Sequence, residues 1–150
     1  MRRISAVLLP FALALACAKA ETPAADSSAM AMSPAGLTES EVAGTWSGTA
    51  KADGGTDTTT MHWTQVCAAG TCNGTLQEMP GVTIVSTYRL EADSTMGVST
   101  PYDDKMFNAR VIDNWVARIS GTSITGRGWN VLADKPDSVL SRYTFTGTKS

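Results

Sequence analysis

The chain has 150 residues, with 12 lysines and arginines against 14 aspartates and glutamates and a formal net charge of −2. That length holds one domain and a short leader, and the charge forms no basic stripe of the kind a nucleic-acid partner requires. One histidine, three cysteines and the absence of a phosphate loop or dinucleotide fingerprint leave no motif for catalysis, a cofactor or a resident metal.

Residues 1–20 read as a secretory signal. Arg2 and Arg3 supply the positive start, and the stretch up to Ala16 is apolar apart from Ser5 and Pro10. It is too short to span a bilayer. Ala14-Leu15-Ala16-Cys17 resembles a bacterial lipobox, which predicts a signal peptide over 1–16 and a lipid on Cys17 as the mature N-terminus. Ala14 departs from it, standing where leucine is usual. The alternative cut follows Ala18-Lys19-Ala20 and discards Cys17. On the first reading the protein is exported and lipid-anchored to the bacterial envelope, at the periplasmic or surface face of the outer membrane. On the second it is periplasmic or secreted.

Residues 17–41 are expected to be a flexible tether, because 18–37 are rich in Ala, Ser and Pro without an apolar period. Met30 and Met32 are two soft ligands with no third, and read as linker composition. Thr38 and Glu41 have the spacing of a capping box, so one helical turn is expected at the tether's end. From Val42 onward period two takes over.

The first strand, over 42–51, places Gly44, Trp46, Gly48 and Ala50 on one face. A turn cluster at 53–57 follows. A second strand over 58–67 sends Met61, Trp63 and Cys67 inward and His62 outward. A third over 72–79 sends Cys72, Gly74 and Leu76 inward. After Pro80-Gly81 a clean alternation over 82–91 sets Val82, Ile84, Ser86, Tyr88 and Leu90 against Thr83, Val85, Thr87, Arg89 and Glu91, with Tyr88 a candidate for the interior. A weak strand over 95–99 leads to a loop over 100–104. From 106 to 119 the apolar phase is Phe107, Ala109, Val111, Trp115, Ala117 and Ile119, broken by Asp113. Both one long bent strand and two strands turning at Asp113-Asn114 fit it. A strand over 124–132 carries Gly126 and Gly128, with Trp129 in the other phase. A turn over 134–137 precedes a last strand over 139–146 with Val139, Tyr143 and Phe145 inward.

Seven to eight antiparallel strands joined by short links form a meander. Such a meander leaves two sticky edges unless it closes. The expected fold is all-β, an antiparallel up-and-down β-barrel over residues 42–150, with inward glycines easing the tight coiling. A two-sheet sandwich is the alternative, and the short links favour pairing between neighbours.

Gly44-x-Trp46 at the start of the first strand of a meander, preceded by a helical turn, resembles the first signature of the lipocalin and calycin barrels. The resemblance implies that Trp46 plugs the closed end and packs against a cation arriving from near the last strand. Arg142 and Lys149 are the candidates. It also implies a carrier for a small apolar molecule. The family's middle Thr-Asp-Tyr signature and its helix after the last strand have no counterpart here.

Cys67 and Cys72 remain as an isolated pair in an exported chain and predict a disulfide across a hairpin end. A barrel of eight strands is either filled by its side chains or holds one small ligand. Trp63, Tyr88, Trp115 and Tyr143 are the candidate ligand-binding residues, as flat apolar surfaces with polar tips. Gly44, Trp46 and Arg142 are the candidate barrel-closing residues. Asp103 and Asp104 have the chemistry of a calcium pair but read as turn residues, and His62 as surface. Two functions fit this pattern. One is an envelope-anchored binding protein for a small apolar molecule. The other is a filled barrel acting as an interaction or inhibitor module for an envelope protein.

Overall fold

The computed structural model describes residues 36–54 and 59–150. The signal segment, Cys17 and most of the tether lie outside the described residues, as does part of the 53–57 turn cluster. One helical turn, α1 (Glu39–Val42), precedes nine strands: β1 (Gly44–Ala52), β2 (Thr60–Ala68), β3 (Thr71–Leu76), β4 (Ile84–Leu90), β5 (Thr95–Ser99), β6 (Tyr102–Asp104), β7 (Ala109–Ser120), β8 (Ser123–Leu132) and β9 (Lys135–Lys149). Each barrel strand pairs antiparallel with its neighbours in the order β1-β2-β3-β4-β5-β7-β8-β9, and β9 pairs back onto β1. The sheet is therefore a closed up-and-down barrel of eight strands, with β6 as one extra strand on β7. Closure gives every barrel strand two partners, so the eight-stranded barrel itself has no open sheet edge.

The extra strand marks the main departure from the expected elements. Residues 100–104 were expected as a loop. Pro101, which has no N–H for a ladder, divides β5 from β6, and the two succeed each other along one side of β7. The register against β7 shifts by one residue between Val98↔Asn114 and Tyr102↔Val111. Ser99 Oγ fills that gap by accepting the Asp113 backbone N–H at 2.8 Å. Strand β7 is single and continuous through Asp113. The β8–β9 link is the tight turn at Ala133-Asp134, earlier than expected, so Pro136 lies inside the first residues of β9.

At one end of the barrel, the links are the β2–β3 turn, the β4–β5 link and the β7–β8 turn, and α1 lies there too. Ala69 and Gly70 both have positive φ, 49° and 77°, as a two-residue hairpin requires for its twist. That hairpin sets Cys67 opposite Cys72 with Cα atoms 4.0 Å apart, and a disulfide joins them. The Glu41 carboxylate accepts the Thr38 backbone N–H at 2.7 Å and the Thr38 hydroxyl at 2.6 Å, which fixes the start of α1. These bonds hold the Glu41 carboxyl below its usual range, with a smaller contribution from Lys149. The Leu37 N–H reaches Ala92 O, so residues just before α1, within the expected tether, are bonded to the barrel.

Trp46 is fully buried beneath α1, and its Nε1–H donates to Val42 O at 2.7 Å. Lys149 Nζ lies 5.4 Å from the Trp46 ring centre and donates to Ser40 O and Glu41 O, both at 3.1 Å. The cation thus stacks on the indole and satisfies carbonyls that α1 leaves open. Gly44 makes this possible. It has φ +132°, a conformation that L side chains rarely adopt, and a Cβ there would come within 2.6 Å of Lys149 Cε. Of the two candidate cations, Lys149 occupies the position over Trp46. Arg142 lies farther along β9, opposite Trp129 and in the outward phase beside the inward Tyr143.

Candidate functional site

Large aromatic side chains stand opposite glycines across the ladders. Trp115 faces Gly97, Phe145 faces Gly126 and Tyr143 faces Gly128. The rings lie over their glycines so closely that an added Cβ would meet Trp115 at 2.1 Å, Phe145 at 2.3 Å and Tyr143 at 2.2 Å. Trp63, opposite Gly48 in the first ladder, lies over Gly147 in the same way. It meets Phe145 edge-on, with ring centres 5.9 Å apart. Rings laid against the wall do not fill the centre. A cavity of about 270 Å³ results, walled by Met61, Trp63, Trp115, Tyr143 and Phe145 among others. It reaches the end of the barrel away from Trp46, where Met106 and Phe107 of the β6–β7 turn are exposed.

One part of the cavity wall is polar. Tyr102, Asp104, Asp113, Asn130 and Ser141 line it beside Tyr143. The Tyr143 hydroxyl donates to Asp113 Oδ1 at 2.7 Å, and Asn130 Nδ2 donates to Ser141 Oγ at 3.1 Å. Asp104 Oδ1 accepts the backbone N–H groups of Met106 and Phe107 at 2.7 and 3.1 Å, holding the turn at the mouth. Burial pushes the Asp113 carboxyl up to about 7. The Tyr143 bond opposes that rise and the nearby Asp104 charge adds to it. Burial and the Asp113 charge also raise the Tyr143 hydroxyl well above its ordinary value, and burial does the same for Tyr102. The Trp63 Nε1–H is buried with no hydrogen-bond partner among the described residues.

Of the four expected ligand-binding residues, Trp63, Trp115 and Tyr143 line this cavity. Tyr88 does not. It packs in the floor cluster with Val42 and Trp46, and its hydroxyl donates to Glu39 of α1. Burial, then the Glu39 contact, pushes that hydroxyl up to about 12. Its inward phase is as expected, but it stands near the end of β4 under the helical turn, below the hollow part of the barrel. Asp103 and Asp104, adjacent in β6, point to opposite sides: Asp103 pairs outside with Arg110 at 3.4 Å while Asp104 is buried. They cannot act together on one ion. His62 is exposed, and its Nδ1 lies 2.8 Å from Glu78 Oε1. Among the described residues, no three or more His, Cys, Asp and Glu side chains gather as a metal site.

Asp113 is the functional candidate that the pattern alone obscures. In the sequence it interrupts an apolar phase, which is also what a turn does. The observation that decides between them is pairing: β7 continues through it against β8, with Asp113 opposite Asn130. No protein-family model matches the chain, and comparison with curated proteins and with solved structures returned no match.

Proposed function

We propose that the protein is a lipocalin-like binding protein that holds one small apolar molecule in the barrel. The observation that carries this reading is the cavity of about 270 Å³, open at one end and walled by glycine-backed aromatic rings. Its size lies just below the roughly 300–1,000 Å³ of typical small-molecule sites. The ligand is therefore compact, on the order of a dozen non-hydrogen atoms at organic packing density. Trp63 and Trp115 supply flat apolar faces, and the polar wall around Asp113 fixes orientation. The resemblance at Gly44-x-Trp46 supports the same reading, because Lys149 over Trp46 closes the opposite end. The runner-up, a solid barrel that binds a protein partner, requires side chains to occupy the interior.

Tryptophan fluorescence and melting temperature test the reading, with indole and naphthalene as compact aromatic probes. Binding changes the emission and raises the melting temperature. A set of such probes that alters neither removes the carrier reading. The proposal includes a lipid on Cys17 that tethers the barrel to the envelope. Labelled palmitate enters the wild-type chain and not Cys17→Ser on this reading, and equal labelling of both contradicts it.

A further inference from the structure

We propose that the cavity selects an organic cation, a compact amine with an aromatic or alkyl body, whose ammonium group pairs with Asp113. This inference rests on the binding reading above and narrows it to a ligand class. The cavity places two carboxyl side chains, Asp113 and Asp104, on its polar wall. Among the described residues neither takes part in an ion pair. A carboxylate in a buried site is costly unless it is paired and hydrogen-bonded. Asp113 has the hydrogen bond, from Tyr143, and lacks the cation.

The groups around Asp113 sharpen the choice. From β9 it meets Tyr143, and from β6 Tyr102 and Asp104 lie close enough to interact with the same cluster of charges. Strand β8 presents Asn130 and β5 presents Ser99, both uncharged. The inward phases of β1 to β4 at the cavity carry Ala50, Met61, Trp63, Leu76, Ile84 and Ser86, none of them charged. Lys51 and Arg142, exposed and in the outward phases of β1 and β9, also border the cavity. An anionic ligand would thus meet two carboxyl groups on the inward faces, with cations only on the exposed side chains of Lys51 and Arg142. An ammonium would meet a carboxylate beside indole and phenol faces, and those faces attract cations too.

Because the Asp113 carboxyl sits near 7 in the empty protein, an ammonium that needs it ionised displaces its proton on binding. Affinity for an amine that stays protonated throughout then falls by about tenfold from pH 8 to pH 6, while affinity for a neutral ligand does not change.

Titration calorimetry with three matched probes tests this: 2-phenylethylamine, 2-phenylethanol and phenylacetate. At pH 8 the amine is expected to bind at least about tenfold more tightly than the alcohol, with phenylacetate weakest and the pH effect confined to the amine. In Asp113→Asn the preference for the amine over the alcohol is lost. Equal binding of amine and alcohol, or an amine affinity indifferent to pH, overturns the inference and leaves the binding reading standing. No binding or thermal shift with any of the three overturns both. The wild-type pH series decides the matter even if Asp113→Asn fails to fold.

Discussion

Asp113→Asn is predicted to change how the barrel's stability depends on pH. Burial raises the Asp113 carboxyl from 3.8 to about 7, so between those values the folded protein holds a proton that the unfolded chain releases. Stability from this group is complete below about 4 and is lost as pH rises through 7. A shift of about three pKa units corresponds to roughly 4 kcal/mol in total. Roughly 2 kcal/mol of it falls between pH 5.5 and pH 8. For a domain of this size that is a drop in melting temperature of about 8 °C over that interval. The amide is uncharged at every pH and its oxygen can still accept from Tyr143. The drop should therefore vanish in Asp113→Asn, and the variant should be the more stable protein at pH 8. Differential scanning calorimetry across the interval measures both. His62→Gln, which changes an exposed ring on the outer face of β2, is the control. A wild-type curve that is flat from pH 5.5 to 8, or a slope that survives Asp113→Asn, refutes the placement of a desolvated carboxyl in the barrel.

At the closed end, Trp46→Ala should cost about 3–5 kcal/mol in denaturant unfolding, as large core truncations do, and weaken ligand binding only through unfolding. A well-folded Trp46→Ala that loses binding would contradict its place in the floor. Lys149→Met should cost about 1–2 kcal/mol by the same assay, from lost charge-assisted bonds to α1 and the indole contact. Arg142→Met, whose side chain faces outward, should change stability by less than about 0.5 kcal/mol, and the reverse ranking would contradict the closure described. Reduction and alkylation of Cys67 and Cys72 should shift the intact mass accordingly and cost about 2 kcal/mol for so short a loop. An unreduced sample that alkylates fully would deny the disulfide.

Much of the barrel is legible in period two, because each strand has one face toward the interior and one toward water. The disulfide is legible for the same reason, both cysteines falling in the inward phase of neighbouring strands. Short strands and turns are less so: β6 has three residues and follows a proline, so nothing in its composition separates it from a loop. The Lys149 contact depends on which of two cations lies at the end of β9 near Trp46, which is a matter of register. Tyr88 has the inward phase expected of it, but phase says nothing about height along the barrel axis, and α1 covers it. The hollow itself comes from cross-strand coincidence. Gly97, Gly126 and Gly128 are visible in the chain, yet only the pairing places them beneath Trp115, Phe145 and Tyr143. Asp113 is hidden by the same logic, since a polar residue in an apolar phase reads as a break until its strand is seen to continue.

The central claim is that the barrel is hollow above Trp46 and takes a compact ligand there. A crystal structure of the protein grown with indole tests it most directly. The probe is expected inside the barrel, against Trp63, Trp115 and Phe145, with Asp113 and Tyr143 on the polar side. An interior closed by the protein's own side chains, with the probe absent or bound only to the outer surface, would contradict it.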